Sequence, residues 1–351
     1  MRILGIETSC DDTAIGIVSY AKKKFTIEAR VTASQILTHR KYGGVVPEVA
    51  AREHALTILP TLAGAMKRAG VSWKDIDALA VTGGPGLNTA LLVGVETART
   101  LSYVLKKPVV RVNHIEGHVV SSLASADIQN IQFPAVALIV SGGHTELILV
   151  KNLGQYKLLG RTLDDAVGEA FDKVAKILKL PYPGGPEIAR CAARGNTTSF
   201  AFPRSFLKKG SLEFSYSGLK TSVLYEVQKH KKITPALIND IAASFQEAAL
   251  EPLIVKTQLA LEKTGAKTLL LGGGVAANTT LREKLTEMVK NNLPRVHFVP
   301  PALELCMDNG VMIAMAACLR LDFGRRGNLR TQKKEYTPWQ KLSADPNWEL
   351  V

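Results

Sequence analysis

The sequence predicts an α/β protein of two similar lobes with a cleft between them, and three observations carry that expectation. The chain has 351 residues, 46% of them hydrophobic, enough for two cores at roughly 150 residues per domain. A pair of β-prone runs joined by a short polar turn opens the chain and recurs after Phe133-Pro134. Three glycine-rich turns each close a β-prone run, where glycine lets backbone amides approach a ligand.

Ile3 to Glu7 and Thr13 to Tyr20 read as strands, joined through Thr8-Ser9-Cys10-Asp11-Asp12 into a hairpin. Apolar spacing near 3.6 at Ala50, Ile58 and Leu62 predicts a helix from Val49 to Ala69, stopped by Gly70. Ile76 to Val81 is a buried strand, after which Gly83-Gly84-Pro85-Gly86 leads into a helix from Thr89 to Leu105. Pro108 to Asn113 is a further strand, followed at once by His114 and His118. The second lobe repeats the opening with Ala135 to Val140, the turn Ser141-Gly142-Gly143-His144-Thr145 and Glu146 to Val150. A helix over Asp164 to Leu178 ends before a rigid turn, Leu180 to Pro186, and residues 196–220 look irregular. A long helix from Pro235 to Glu262, interrupted or bent at Pro252, precedes a strand at Thr268 to Leu271 closed by Gly272-Gly273-Gly274. Asn278 opens a helix to Lys290, Val296 to Val299 is a short strand, and Asp308-Asn309-Gly310 opens the last helix. The expected division is a lobe over 1–130, a second over 131–323, and a basic segment over 324–351 packing back on the first.

Composition excludes several classes. The N-terminus is too short and acidic for a signal peptide, and the strongest apolar run is far below the roughly 18 residues of a membrane span. Cys10, Cys191, Cys306 and Cys318 show no C-x-x-C pair or secretory framework, so a cytoplasmic protein with reduced thiols is expected. The net charge is +13, with clusters at Lys22-Lys23-Lys24, Lys106-Lys107, Lys208-Lys209, Lys229 with Lys231-Lys232, and Arg320, Arg325, Arg326, Arg330, Lys333 and Lys334. Any one cluster is as readily a solvated surface, but the excess favours an anionic partner such as nucleic acid.

Each glycine turn taken singly is as readily a packing device as a phosphate cradle. None is a Walker A loop, since no Gly-Lys-Ser/Thr follows, and none completes a dinucleotide fingerprint. His114 and His118 stand four apart, on one face of a helix, where two imidazoles can reach one ion. Glu116 is not adjacent to His114, so the H-E-x-x-H protease signature is missing. Asp308, polar at a helix start in an otherwise apolar region, is the best third ligand, and a mixed N and O set suits iron or zinc. Such an ion is expected to pin the two lobes together.

Read in order, Glu7-Thr8-Ser9-Cys10-Asp11, Thr82-Gly83-Gly84-Pro85-Gly86-Leu87, Asn113-His114-Ile115-Glu116-Gly117-His118, Val140-Ser141-Gly142-Gly143-His144-Thr145, Gly168-Glu169-Ala170-Phe171-Asp172-Lys173, Tyr182-Pro183-Gly184-Gly185-Pro186, Phe214-Ser215-Tyr216-Ser217-Gly218-Leu219-Lys220-Thr221 and Gly272-Gly273-Gly274-Val275-Ala276-Ala277-Asn278 give the chain a specific resemblance. Over nearly its whole length it resembles the bacterial and organellar tRNA N6-adenosine threonylcarbamoyltransferase family, once called glycoproteases.

The resemblance implies an actin-like ATPase-domain fold. It implies transfer of threonylcarbamoyl from threonylcarbamoyl-AMP to N6 of adenosine 37 in tRNAs reading codons that begin with A, with loss of AMP. It implies one divalent metal, iron or zinc, on His114, His118 and Asp308, and an adenine nucleotide (threonylcarbamoyl-AMP, ATP or AMP). Substrate contacts fall on Val140, Ser141, Gly142, Gly143, His144, Asp172, Gly185 and Asn278, with Glu187 near the ribose. Asp172, Gly185 and Asn278 take the adenine and ribose side, and the first-strand turns the phosphates. Asp11 is the acidic residue of the first hairpin turn and a candidate base. The implied partners are tRNA, a paralogous actin-like protein, a small ATPase and a separate threonylcarbamoyl-AMP synthase. An actin-like metabolite kinase and a proteolytic role are the competing classes; neither explains the basic surface.

Overall fold

A computed structural model describes residues 1–126, 128–205, 210–327 and 335–351, the side chains of 125 and 323–327 excepted. Lys208, Lys209, Arg330, Lys333 and Lys334 of the basic clusters, and the side chains of Arg325 and Arg326, lie outside the described residues. Two compact units emerge: residues 1–131 with 307–351, and residues 132–306.

Unit 1 begins with β1 (Arg2–Glu7) and β2 (Asp12–Ala21), the expected hairpin, and adds β3 (Lys24–Ser34), α1 (Ile36–Arg40), α2 (Pro47–Ala69), β4 (Ala78–Gly84), α3 (Asn88–Leu105), β5 (Val109–Asn113) and α4 (His114–Ser121). Its sheet has the order β3-β2-β1-β4-β5. β1 is antiparallel to β2 and parallel to β4. Alternation along β1 sends Leu4 and Ile6 into a core with Ile58, Leu62 and Met66 of α2 and Val95 and Ala98 of α3. α2 begins with Pro47 in its first turn and ends at Gly70, whose φ of 65° supplies the left-handed cap.

Unit 2 holds β6 (Ala135–Val140), β7 (Thr145–Asn152), β8 (Gln155–Arg161), α5 (Val167–Ile177), α6 (Gly184–Ala192), α7 (Ser217–Gln228), α8 (Pro235–Thr264), β9 (Thr268–Gly272), α9 (Thr279–Asn292) and β10 (His297–Val299). Its sheet order, β10-β9-β6-β7-β8, reproduces that of unit 1 read from the other edge. The duplicated hairpin is therefore the visible part of a duplicated five-stranded sheet. Its core packs β6 and β9 against α5 and α8 through Val136, Leu138, Phe171, Phe245, Leu269 and Leu271.

Three expectations are corrected. The third strand of each unit, β3 and β8, was absent from the sequence reading because each is a partly exposed edge strand rich in charge and weak in alternation. The rigid turn expected at Leu180 to Pro186 is instead the entry to α6, with Pro183 at the N-cap and Gly184, Gly185 and Pro186 in the first turn. α8 runs uninterrupted as one helix of 30 residues through Pro252, so the interruption expected there does not occur. Pro252 is buried among Leu250, Leu253 and their neighbours, and this packing outweighs the hydrogen bond that proline omits.

The largest correction concerns the last helix, α10 (Gly310–Gly327), which belongs to unit 1, so the boundary expected at 323 falls after Cys306. The reason lies in three glycines. Gly5 and Gly16 are register partners on β1 and β2, and a Cβ on either would collide with the backbone of Gly310, Val311 or Ala314. Only hydrogen atoms on that face let α10 lie directly on the strands. The segment after α10 also joins unit 1: Thr337 bridges Val109, Asp345 N donates to Gly83 O at 2.7 Å, Leu342 enters the core, and Arg111 lies 4.1 Å over the Trp348 ring. No helix among the described residues is long and apolar enough to cross a membrane.

Gly310→Ala should lift the first turn of α10 off the sheet. Overpacking of this kind costs about 1–3 kcal/mol, so a lowered melting temperature is the expected reading.

Candidate metal centre and nucleotide-side turns

β5 ends at Asn113, whose side chain caps α4 by accepting from Ile115 N at 2.9 Å. The cap starts the helix at His114, and the four-residue spacing stacks His118 behind it, with ring centroids 4.6 Å apart. Gly117 of α4 meets Met312 and Ile313 of α10, and Glu116 pairs with Arg320 of α10. This docking brings Asp308, just before α10, to the two histidines: its Oδ1 lies 3.2 Å from His118 Nε2 and 3.6 Å from His114 Nε2. One ligand atom from each of the three lies within 4.8 Å of the others. All three residues belong to unit 1, so the sequence expectation that an ion here pins the two lobes is corrected: the ligands converge within one unit.

The surroundings fit a cation. Buried His118 Nδ1 has no hydrogen bond, and Nε2 faces only the Asp308 carboxylate at 3.2 Å; a buried polar atom left unpaired costs about 1–3 kcal/mol unless something binds it. Burial lowers the His118 pKa, favouring the neutral ring that ligates metal. At His114 burial also disfavours the charge, but Glu7 and Asp308 outweigh it and raise the pKa to about 9; an ion there would displace a proton.

Glu7 is a further candidate that the sequence analysis did not single out. Buried at the end of β1, it accepts from Ser9 N at 2.5 Å and from Thr82 Oγ1 at 2.7 Å, and its Oε2 lies 2.9 Å from His114 Nδ1. A carboxylate on Nδ1 directs Nε2 of His114 toward Asp308 and His118. The signal was present as an acidic residue closing an apolar strand, but only the fold pairs β1 with the end of β5. Asp11 sits in the neighbouring turn, where burial first and Asp308 second raise its carboxyl pKa.

In unit 2 the remaining candidates gather at the carboxyl ends of parallel β6 and β9. Val140 ends β6, and Gly273, at φ 90°, lies against the Val140 backbone where a side chain would collide. Ser141 N donates to His144 O at 2.8 Å, and Ser141 Oγ accepts from His144 N at 3.1 Å, closing the turn. Gly142 and Gly143 stand exposed at its tip with open space around them. Gly168 N donates to Ser141 O, tying the start of α5 to this turn. Asp172 Oδ1 then accepts from Gly184 N at 2.6 Å, which sets the first turn of α6 and Gly185. Asn278 caps α9 through Leu281 N at 3.0 Å and donates to Gln246 Oε1 at 3.0 Å; Gln246, on α8, was also missed. Glu187 is paired with Arg190 at 2.6 Å on the surface of α6. By contrast, the Gly83–Gly86 turn of unit 1 is used for packing: Gly86 N donates to Pro346 O and Leu87 N to Ser9 O.

Glu7→Gln should weaken metal binding about 10–100-fold, the usual cost of losing a ligand's hydrogen-bonded support, measured by competition with a chelator. Metal affinity equal to wild type would remove Glu7 from the site.

Comparison with known proteins shows the family and the fold. A family model described as tRNA N6-adenosine threonylcarbamoyltransferase matches residues 26–315. A protein of that description from Variovorax paradoxus is 49% identical over 352 aligned residues, covering 100% of this chain and 97% of the relative. Another, from Bacillus licheniformis, is 47% identical over 331, covering 93% and 94%. Among solved structures, full-length HypF in its phosphate- and nucleotide-bound form superposes with a TM-score of 0.61 at 14% identity, over 92% of this chain and 46% of that one. Component A of the Acidaminococcus fermentans (R)-2-hydroxyglutaryl-CoA dehydratase gives 0.52 at 16%, over 90% and 96%. These distant likenesses establish the two-lobed actin-like fold. The chain belongs to the tRNA N6-adenosine threonylcarbamoyltransferase family and is an acyltransferase.

Proposed function

We propose that the chain transfers threonylcarbamoyl from threonylcarbamoyl-AMP to N6 of adenosine 37 in tRNAs reading codons that begin with A, releasing AMP. Within an established family, the supporting observation is the convergence of His114, His118 and Asp308, one ligand atom from each within 4.8 Å of the others. The bond formed joins N6 to the carbamoyl carbon. The bond broken joins that carbon to the phosphate oxygen, whose electron pair leaves with AMP, and the N6 proton passes to a base.

Adenine N6 is a weak nucleophile because its lone pair is delocalised, so orientation and charge stabilisation must lower the barrier. In this reading the exposed Gly142-Gly143 tip, held by Ser141 and His144, presents backbone to the adenylate. Asp172, Gly185 and Asn278 take its ribose and adenine. Glu187 reaches the ribose by exchanging its exposed pair with Arg190, a change worth only about 0–1 kcal/mol. Asp11 accepts the N6 proton, its raised pKa making it a better acceptor than an exposed aspartate. His114, His118 and Asp308 hold a divalent ion, iron or zinc, which when bound supplies Lewis-acid charge against the developing negative charge. The partners are tRNA, a paralogous actin-like protein, a small ATPase and a separate synthase that makes the donor, in the cytoplasm.

Incubation with threonine, bicarbonate, ATP, the synthase and unmodified tRNA, followed by nucleoside mass spectrometry, tests the reaction. Modified adenosine should form only when the chain is present. Elemental analysis of the same preparations should find metal in wild type and lose it, together with transfer, in His114→Ala, His118→Ala and Asp308→Ala; metal retained in all three would refute the ligand assignment.

For Asp11→Asn, turnover should fall about 10²–10⁴-fold, the span of general-base catalysis, with nucleotide affinity and melting temperature kept. Parallel loss of stability and activity would instead make Asp11 a turn-forming residue.

A further inference from the structure

The connection from β3 to α2, residues 35–46, lies at the edge of the unit 1 sheet that carries the candidate metal centre. β1 ends there at Glu7, β2 starts at Asp12 opposite Ser34, the last residue of β3, and β5 ends there at Asn113. The root of this loop is tightly fixed. Gln35 N donates to the Asp11 carbonyl at 3.1 Å, and the Gln35 side-chain amide donates to Ala50 O at 3.3 Å. Buried His39 accepts from Val46 N through Nδ1 at 3.3 Å, so its Nε2 donates to Gln35 Oε1 at 3.0 Å.

The tip is opposite in character. Arg40 and Lys41 are exposed, the Tyr42 side chain is 57% exposed, and Gly43 follows at φ 68° with open space around it. No acidic residue occurs from Ile36 to Val46. The buried root accounts for the stability of the loop, and nothing in the core of unit 1 uses the Tyr42 ring. A solvent-facing aromatic beside two cations, on a rigid stem tied to Asp11, has the chemistry that grips unstacked nucleotides: a flat face for a base and positive charge for its phosphates.

We propose that Arg40, Lys41 and Tyr42 form a stacking platform for the single-stranded RNA loop that carries the target adenosine. Tyr42 stacks on a base neighbouring the target, and Arg40 and Lys41 neutralise the flanking phosphates. The platform rests on the tRNA substrate proposed above and adds the residues that receive its loop.

The test uses metal-loaded enzyme with unmodified tRNA, and separately a hairpin RNA of the anticodon-arm sequence with 2-aminopurine beside the target. Tyr42→Ala should raise KM for tRNA about 10–100-fold, the range for removing one base-stacking ring, while KM for the adenylate donor and the melting temperature stay at wild-type values. Tyr42→Phe, which keeps the ring, should restore KM. Wild type and Tyr42→Phe should quench the 2-aminopurine fluorescence and Tyr42→Ala should not. If wild type makes no modified nucleoside, the proposed function falls and the platform with it. If wild type transfers normally and Tyr42→Ala matches it in both tRNA KM and quenching, the platform alone is overturned.

Discussion

The candidate metal centre depends on one close approach, the contact of the first turn of α10 with Gly5 and Gly16. Two adjacent strands give up their side chains at register positions so that a helix backbone can lie on the sheet. Removing side chains from buried strands sacrifices apolar burial and packing. What is gained is placement: Asp308, two residues before Gly310, is delivered to histidines about 190 positions earlier in the sequence. Gly117 repeats the device on α4, and the Glu116–Arg320 pair fixes the register of α4 along α10. Since such an ion pair is buried on the Glu116 side, its value lies more in specifying one arrangement than in net stability.

Around that arrangement the polar groups form a graded series. Glu7 is satisfied by Ser9, Thr82 and His114, so its carboxylate is held in one orientation. His114 is supported on one ring nitrogen and directed by the other toward Asp308. His118 has no hydrogen bond on Nδ1 and only the Asp308 carboxylate beside Nε2. Satisfaction thus decreases toward a single point, the pattern expected where the missing partner is a ligand rather than protein. The raised pKa values of Asp11 and Asp12, the latter to about 7, share burial as their main cause, and a bound cation would favour their ionised forms.

Unit 2 solves a different problem with the same sheet. Its strand ends carry backbone instead of ligating side chains: a glycine tip after β6, Gly273 packed against Val140, and a capped helix at Asn278. A nucleotide offers phosphates and hydroxyls over a wide area, which backbone groups and helix starts suit. A metal needs a few strong donors at one point. The duplication supplies one scaffold, and in the proposed function residues at equivalent strand ends serve these two chemistries.

The sequence by itself determined the class of the protein. The repeated hairpins gave the duplicated sheets, the helical spacing of His114 and His118 gave a shared face, and Asp308 was singled out as the distant candidate for a third ligand. These features are local: strand alternation, helix period and glycine turns are written in neighbouring residues. The tertiary structure alone decided the rest. Assignment of α10 to unit 1 comes from Gly5 and Gly16 meeting Gly310, none of which is unusual in its own window. The support of His114 by Glu7 requires β1, β4 and β5 to lie side by side, and the Gln246 support of Asn278 requires α8 to cross α9. Each is a pairing of residues 30 to 300 positions apart, and hydrogen bonds and close packing at that separation follow from the fold, because no periodicity within a segment records which other segment will face it.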